Sequence, residues 1–478
     1  MNTRKRLYAV TLVCIMFAFV LYRGLQYTDP SVALENNKET ANKETLYFWY
    51  TDEALTDYLN SCALSFMEEY ENVRIVPTCV SAVEYLETIY DATMEGQVYP
   101  DLFIVTNDCL EKAYLSGIAT TIRDKTGLVT EENYPKAALS AVTCQGKLVA
   151  YPFYYETSVL LYNRTHLASM AKARQEALLA QEEGEAAQAA VDEALAAGLE
   201  PDDMLPSGSE ASSDVAEELQ RLSAGADALV PATMDDILNL ADTYDAPEGV
   251  EAIMKWDVSD IFYNYFFAGN YINVGGPDGD DASVVDICNE NSVQCLNLYQ
   301  SLNQFFSIEA KETTYDSVMQ EFMDGKILFT VATTDAVARL EQAKQEGKLE
   351  GEYGISLLPD VSSQLRSRGL SVTNVIAVNG YGQHKNVADQ FASYVAGQTD
   401  DALYQRCGKL SAGLFATHEN AIFDTTMEAY KESISLPKLV QASSFWVQLE
   451  VTLTGIWQGE DTTASLEKLQ QQMENQIR

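Results

Sequence analysis

Histidine is almost missing from this chain. There are three in 478 residues, His166, His384 and His418, far apart in sequence. No C-x-x-C pair occurs, so no metal-ligand spacing can be read, and no cofactor is expected. Eight cysteines are too few for a disulfide scaffold at this length. Cys62, Cys79, Cys109 and Cys144 fall in or beside expected core elements, where free thiols and bridges are both open readings. Basic residues are scarce: 31 Lys plus Arg stand against 71 Asp plus Glu, a net charge of −40. That deficit excludes nucleic acid, whose phosphates need Lys and Arg, and excludes lying flat on an anionic membrane surface. A solvated, acidic surface is the plain reading.

Long apolar runs are also lacking, save one. Residues 7–22 are apolar, preceded by Arg4, Lys5 and Arg6 and followed by Arg23. The charge bias puts residues 1–6 inside and the bulk of the chain outside. Residues 7–25 read as an anchor or signal segment, with Ser31-Val32-Ala33 as the cleavage alternative. Residues 26–44 read as a tether. The expected location is the outer face of a cell membrane, or secretion if cleaved near Ala33.

The length implies at least two domains. Strand-like 46–50, 73–76 and 102–105 alternate with helical 51–70, 84–95 and 106 onward, which argues an α/β fold with a largely parallel sheet. Ligands in such sheets sit beyond the carboxyl ends of strands, which points to 49–53 and 106–108. Within the first loop, Trp49 is expected to pack inward and Tyr50 to face a cleft.

The central stretch is 147–167. Two apolar runs, 148–153 and 158–162, flank Tyr154, Tyr155, Glu156 and Thr157. Pro152 lacks a backbone donor and is expected to end the first run or mark an edge. Two rings and a carboxylate can grip a small polar ligand, by covering it and accepting from its hydroxyls or amines. Tyr154 and Tyr155 alternate sides if extended, so one faces the cleft. Glu156 needs a partner, either ligand or a buried Lys or Arg.

Residues 168–230 differ in kind, being Ala- and Glu-rich with helical spacing and a break at 198–213. They read as two solvated helices inserted at the surface, with a docking arm as the functional alternative. The globular pattern resumes with helices at 233–244, 292–306, 315–323 and 386–396. Strands are expected at 327–332, 354–358 and 375–378, and helix from 436 to the end. The acidic, Gly-rich 275–281 lacks the spacing of a calcium EF-hand loop.

In order, LYFWYTDE, YPDLFIVTND, KLVAYPFYYETSVLLYNRTHL, PATMDDILNLADTY, FMDGKILFTVA, YGISLLPD and ASSFWVQLEVTLTGIWQGEDTTASLEKLQ resemble the extracellular substrate-binding proteins of bacterial ABC importers, maltose/maltodextrin type. The resemblance implies the two-lobed, type II periplasmic-binding-protein fold, with a ligand cleft between lobes. It places lobe 1 at 45–155 and 362–411, lobe 2 at 156–361 and 412–478, and the insertion in lobe 2. By position, Glu156 and Asp108 match sugar-hydroxyl-binding carboxylates and Trp446 a sugar-stacking ring. Asp52-Glu53 replace a charged pair, without its Lys, and Asp335 replaces a stacking Trp. Tyr50, Tyr154 and Tyr155 complete the candidate set.

The implied partners are a sugar and ABC permease subunits, for a monomer that binds without catalysis. Other readings compete. A polyamine could be held by Asp52, Glu53, Asp108, Glu156 and Asp335 with aromatic walls, if no basic partner intervenes. A glycosidase would need an assignable carboxylate pair. A sensor domain would use the anchor. Asp335 could instead pair with Arg339 one turn away.

Overall fold

A computed structural model describes residues 43–197, 213–244, 246, 249–418 and 420–477. The tail and the anchor or signal segment therefore lie outside the described residues, as do nearly all of the tether and the break at 198–212. No helix among the described residues is long and apolar enough to cross a membrane.

The strands are β1 Glu44–Tyr50, β2 Val73–Cys79, β3 Leu102–Thr106, β4 Thr143–Cys144, β5 Lys147–Leu148, β6 Ala150–Asn163, β7 Ala252–Met254, β8 Asn273–Gly275, β9 Asp281–Asp286, β10 Ile327–Thr333, β11 Tyr353–Ser356, β12 Leu370–Val378, β13 Leu410–Ser411 and β14 Ile434–Ser435. The main sheet runs β2-β1-β3-β12-β6-β10-β7. β1 pairs in parallel with β2 and β3, and β10 with β7; β12 and β6 enter antiparallel.

One strand holds the molecule together. Positions 150–157 of β6 pair with β12, and positions 158–162 pair with β10. The two apolar runs are thus a single 14-residue strand in which only Glu156 is not buried. Pro152 does not end it. The register against β12 shifts between Asn374 and Val375, and Phe153 is passed over in the ladder and accepts from Ala412 N at 2.9 Å. The strand continues past the proline through this bulge. Both faces of the strand's second half are covered: Leu160 and Tyr162 join one core, Val159 and Leu161 another. A strand buried on both faces reads as near-continuous apolar sequence.

The sheet thus joins two α/β lobes, each with its own core. Leu46, Phe48, Phe66 and Phe391 centre one. Trp256, Phe267, Tyr299 and Trp457 centre another, with the two indoles edge-on at 5.5 Å. The seven described cysteines are free, which settles the choice between thiols and bridges for them.

Two expectations need correction. The insertion is a 34-residue helix, Arg164–Ala197, and a second helix, Ser213–Leu222. Its base is not merely solvated. Met170, Ala171, Leu222, Ala226 and Leu229 are buried in the core, because the first turns of the long helix must cover the end of β6. The run from 436 is not one helix: 436–439 are irregular, a 3-10 turn Val440–Ala442 follows, and then two α-helices, Phe445–Trp457 and Thr462–Ile477, are separated by a Gly459 turn with φ +102° that no regular helix admits.

Candidate functional site

A cavity of ≈ 530 Å³ opens at the carboxyl ends of β1 and β3. The strand ends supply Asp52 and Thr106. The helix Asn107–Leu115 supplies Asp108 from its first turn, β6 supplies Tyr154, and the helix Phe445–Trp457 supplies Trp446. Each is placed by local chemistry. Asp52 caps a short 3-10 turn, its Oδ1 accepting from Ala54 N at 3.0 Å. Asp108 sits at a helix N-terminus, where a carboxylate is favoured. Its Oδ1 is buried with no hydrogen-bond partner among the described residues, as is the hydroxyl of Tyr85, which also lines the cavity. Trp446 is half-buried, edge-on to Tyr265 at 5.7 Å and Phe445 at 5.0 Å. Burial raises the Tyr154 hydroxyl above the ordinary phenol range, so it stays neutral.

Beside the cavity lies a residue absent from the candidate set. Lys409 donates from Nζ to Glu156 Oε1 at 2.9 Å and stands 3.1 Å from Asp52 Oδ2. Its Nζ also lies 5.3 Å from the Tyr154 ring centroid. Burial works against its charge, but Glu156, Tyr154 and Asp52 together hold the ammonium above the ordinary lysine range. The partner that Glu156 requires is therefore internal. Glu156 and Asp52 keep 36% and 34% of their side chains exposed, so both remain open to solvent.

The far wall is tied to the near one at the cavity's edge. Glu111 Oε2 accepts from Val440 N at 2.9 Å, and Asn107 Nδ2 donates to Leu436 O at 3.4 Å. Buried Lys438 donates to the carbonyls of Ser140 and Thr143.

The structure gathers Asp52, Asp108, Tyr154 and Trp446 on one cavity and brings Glu156 next to it through Lys409. Four candidates fall elsewhere. Tyr155 points to the opposite face of β6, stacked on Tyr430 at 4.1 Å and bonded to Thr426 Oγ1 at 3.0 Å. Tyr50, the last residue of β1, is 1% exposed, packed in the first lobe's core with its hydroxyl donating to Thr56 Oγ1 at 3.0 Å. Glu53 is exposed on the 3-10 turn outside the lining. Asp335 opens the helix Asp335–Gln345 and accepts from Tyr315 Oη at 3.3 Å, on the wall beyond β10. Arg339 does not pair with it but with Asp316, at 2.7 Å. Trp49 packs inward as expected.

A family model for bacterial extracellular solute-binding proteins matches residues 62–405. The chain belongs to this family. Solved structures with the same fold as this solute-binding protein include the extracellular solute-binding protein of Staphylococcus aureus in complex with maltose. It is 16% identical at TM-score 0.66, covering 91% of this chain and 97% of that one. The maltose-binding periplasmic protein of Listeria monocytogenes in complex with maltose is 18% identical, also at TM-score 0.66, covering 91% and 98%. A cyclo/maltodextrin-binding protein complexed with maltotetraose gives 16%, 0.66, 91% and 98%. No curated protein sequence matches.

Proposed function

We propose that this solute-binding protein captures a neutral oligosaccharide of the maltodextrin class on the outer face of the membrane and passes it unchanged to the membrane subunits of an ABC importer. The observation that carries the reading is the convergence of Asp52, Asp108, Tyr154 and Trp446 on one cavity. Its volume of ≈ 530 Å³ lies in the range of small-molecule sites, roughly 300–1,000 Å³. Carboxylates accept from sugar hydroxyls, and the indole face covers the apolar side of a pyranose ring. Hydrogen bonds to a charged partner contribute about 1.5–3 kcal/mol each, so a few of them with one stacked ring reach micromolar affinity. The sugars in the complexes of like-folded proteins agree with this class.

The test is a thermal-shift and calorimetric panel of mono- and oligosaccharides against the full chain. Maltodextrins are expected to raise the melting temperature with dose, as any ligand preferring the native state does. A panel with no stabilising sugar overturns the reading. Delivery is tested by reconstitution with candidate permease subunits, where ligand-loaded protein should stimulate ATP hydrolysis. The anchor is tested by fractionation: retention in the membrane pellet after carbonate washing is expected.

A further inference from the structure

An acidic, aromatic-walled cleft is the chemistry of an ammonium cage. Asp52, Glu156 and the Tyr154 ring make such a cage here, and it is already filled. The Lys409 ammonium has one carboxylate at 2.9 Å, a second at 3.1 Å and a ring face at 5.3 Å. These are the contacts an alkylammonium ligand would make. We propose that Lys409 is a specificity-determining residue: a built-in counter-cation that occupies the ammonium position between Asp52 and Glu156 and so restricts the cleft to neutral, polyhydroxylated solutes.

The fold goes to some trouble to place it. Lys409 lies 253 residues from Glu156 in sequence. The helix Ala402–Cys407 stops at Gly408, which takes φ +67° and donates to Tyr404 O at 2.7 Å. A side chain at Gly408 would be strained by that φ and would meet Ala338 Cβ at 2.9 Å. The reversal lets β13 pair with Tyr155 and Tyr154 directly after Lys409, which fixes the lysine over the Tyr154 ring. Only 20% of its side chain is exposed, and its charge is held by its neighbours rather than by water. An incoming ammonium group would meet like charge at close range, whereas a hydroxyl meets none. Glu156 Oε1 is committed to Lys409, which leaves Oε2 for a ligand hydroxyl. The role therefore rests on the proposed sugar reading for what is admitted, but not for what is refused.

The experiment measures putrescine, spermidine and maltotriose binding to the full chain by calorimetry, with circular dichroism as a fold control. Wild type is expected to bind neither amine at millimolar concentration. Lys409→Met is expected to bind at least one of them ten-fold or more tightly than wild type and to bind maltotriose more weakly. Lys409→Arg, which restores the cation, is expected to refuse amines again. A folded Lys409→Met that gains no amine affinity overturns the proposal. If that variant does not fold, Lys409→Gln carries the same test, and wild type binding an amine as tightly as a sugar overturns the proposal without any variant. Gain of amine binding with no sugar bound by wild type would sink the sugar reading and leave the role of Lys409 standing.

Discussion

Tyr154 and Tyr155 are neighbours in one strand with opposite tasks. Tyr154 faces the cavity; Tyr155 is sealed between sheet and helix, flat against Tyr430. Replacing Tyr155 with Ala should lower unfolding free energy by about 3–5 kcal/mol, the cost of emptying a large buried ring. Urea midpoints would show it, and an unchanged midpoint would refute the packing described. Replacing Trp446 with Ala should do the reverse: affinity for the best maltodextrin falls by about ten-fold, or ~1.4 kcal/mol, with the protein still folded. Strand alternation alone makes it legible that one of the two tyrosines faces the cleft. Which one depends on how β6 sits in the sheet, and no local pattern carries that. Lys409 was invisible for the same reason. It stands in Cys407-Gly408-Lys409-Leu410 with no motif, and its meaning comes only from a distant strand pairing.

Among elements, most strands and helices follow from apolar periodicity, because the sheet halves are covered on both faces and leave strong runs. β12 was longer than its expected 375–378, since Ser371, Thr373 and Asn374 are buried polar residues whose partners lie far away in sequence. Thr373 illustrates this: its N donates to Asn107 Oδ1 at 3.0 Å and its hydroxyl meets Tyr430 Oη at 2.6 Å. The insertion divides at its own packing line. Excising 180–212, beyond Leu178 where the helix still packs on the core, and joining the ends with a short Gly/Ser linker should leave folding and ligand affinity intact. Excising 168–229 should unfold the chain, because it removes buried Met170, Ala171, Leu222 and Leu229. Circular dichroism of the two deletions separates these outcomes. The contact between the helix Asn107–Leu115 and the 436–440 segment carries a pH signature. Burial raises the Glu111 carboxyl above its ordinary range, with the Val440 N–H opposing. The folded state then holds that proton more tightly than the unfolded state. Its contribution favours folding below the ordinary Glu pKa and is lost as pH rises through the raised value. Glu111→Gln should flatten that loss, read as denaturant midpoints between about pH 4 and pH 7.

At the scale of the whole molecule, a net charge of −40 makes the native state repel itself. Added salt should raise the melting temperature. A neutral sugar has no charge to screen, so its affinity should change by less than about two-fold between roughly 50 and 500 mM salt, a range that shortens the screening length several-fold. A cationic ligand would lose affinity steeply over the same range, so this titration distinguishes the ligand classes without any substitution.

The shared strand also sets an order of events. The first half of β6 is complete early in synthesis, but its partner β12 emerges only after residue 370, and β10 after residue 327. Neither half of the sheet can close while the ribosome is still making the middle of the chain. The N-terminal strands β1, β2 and β3 can pair among themselves, but β3 and the first half of β6 must wait for β12 from the other end of the chain. For a member of an extracellular family, such delay means that the sheet joining the two lobes closes only when most of the chain has been made.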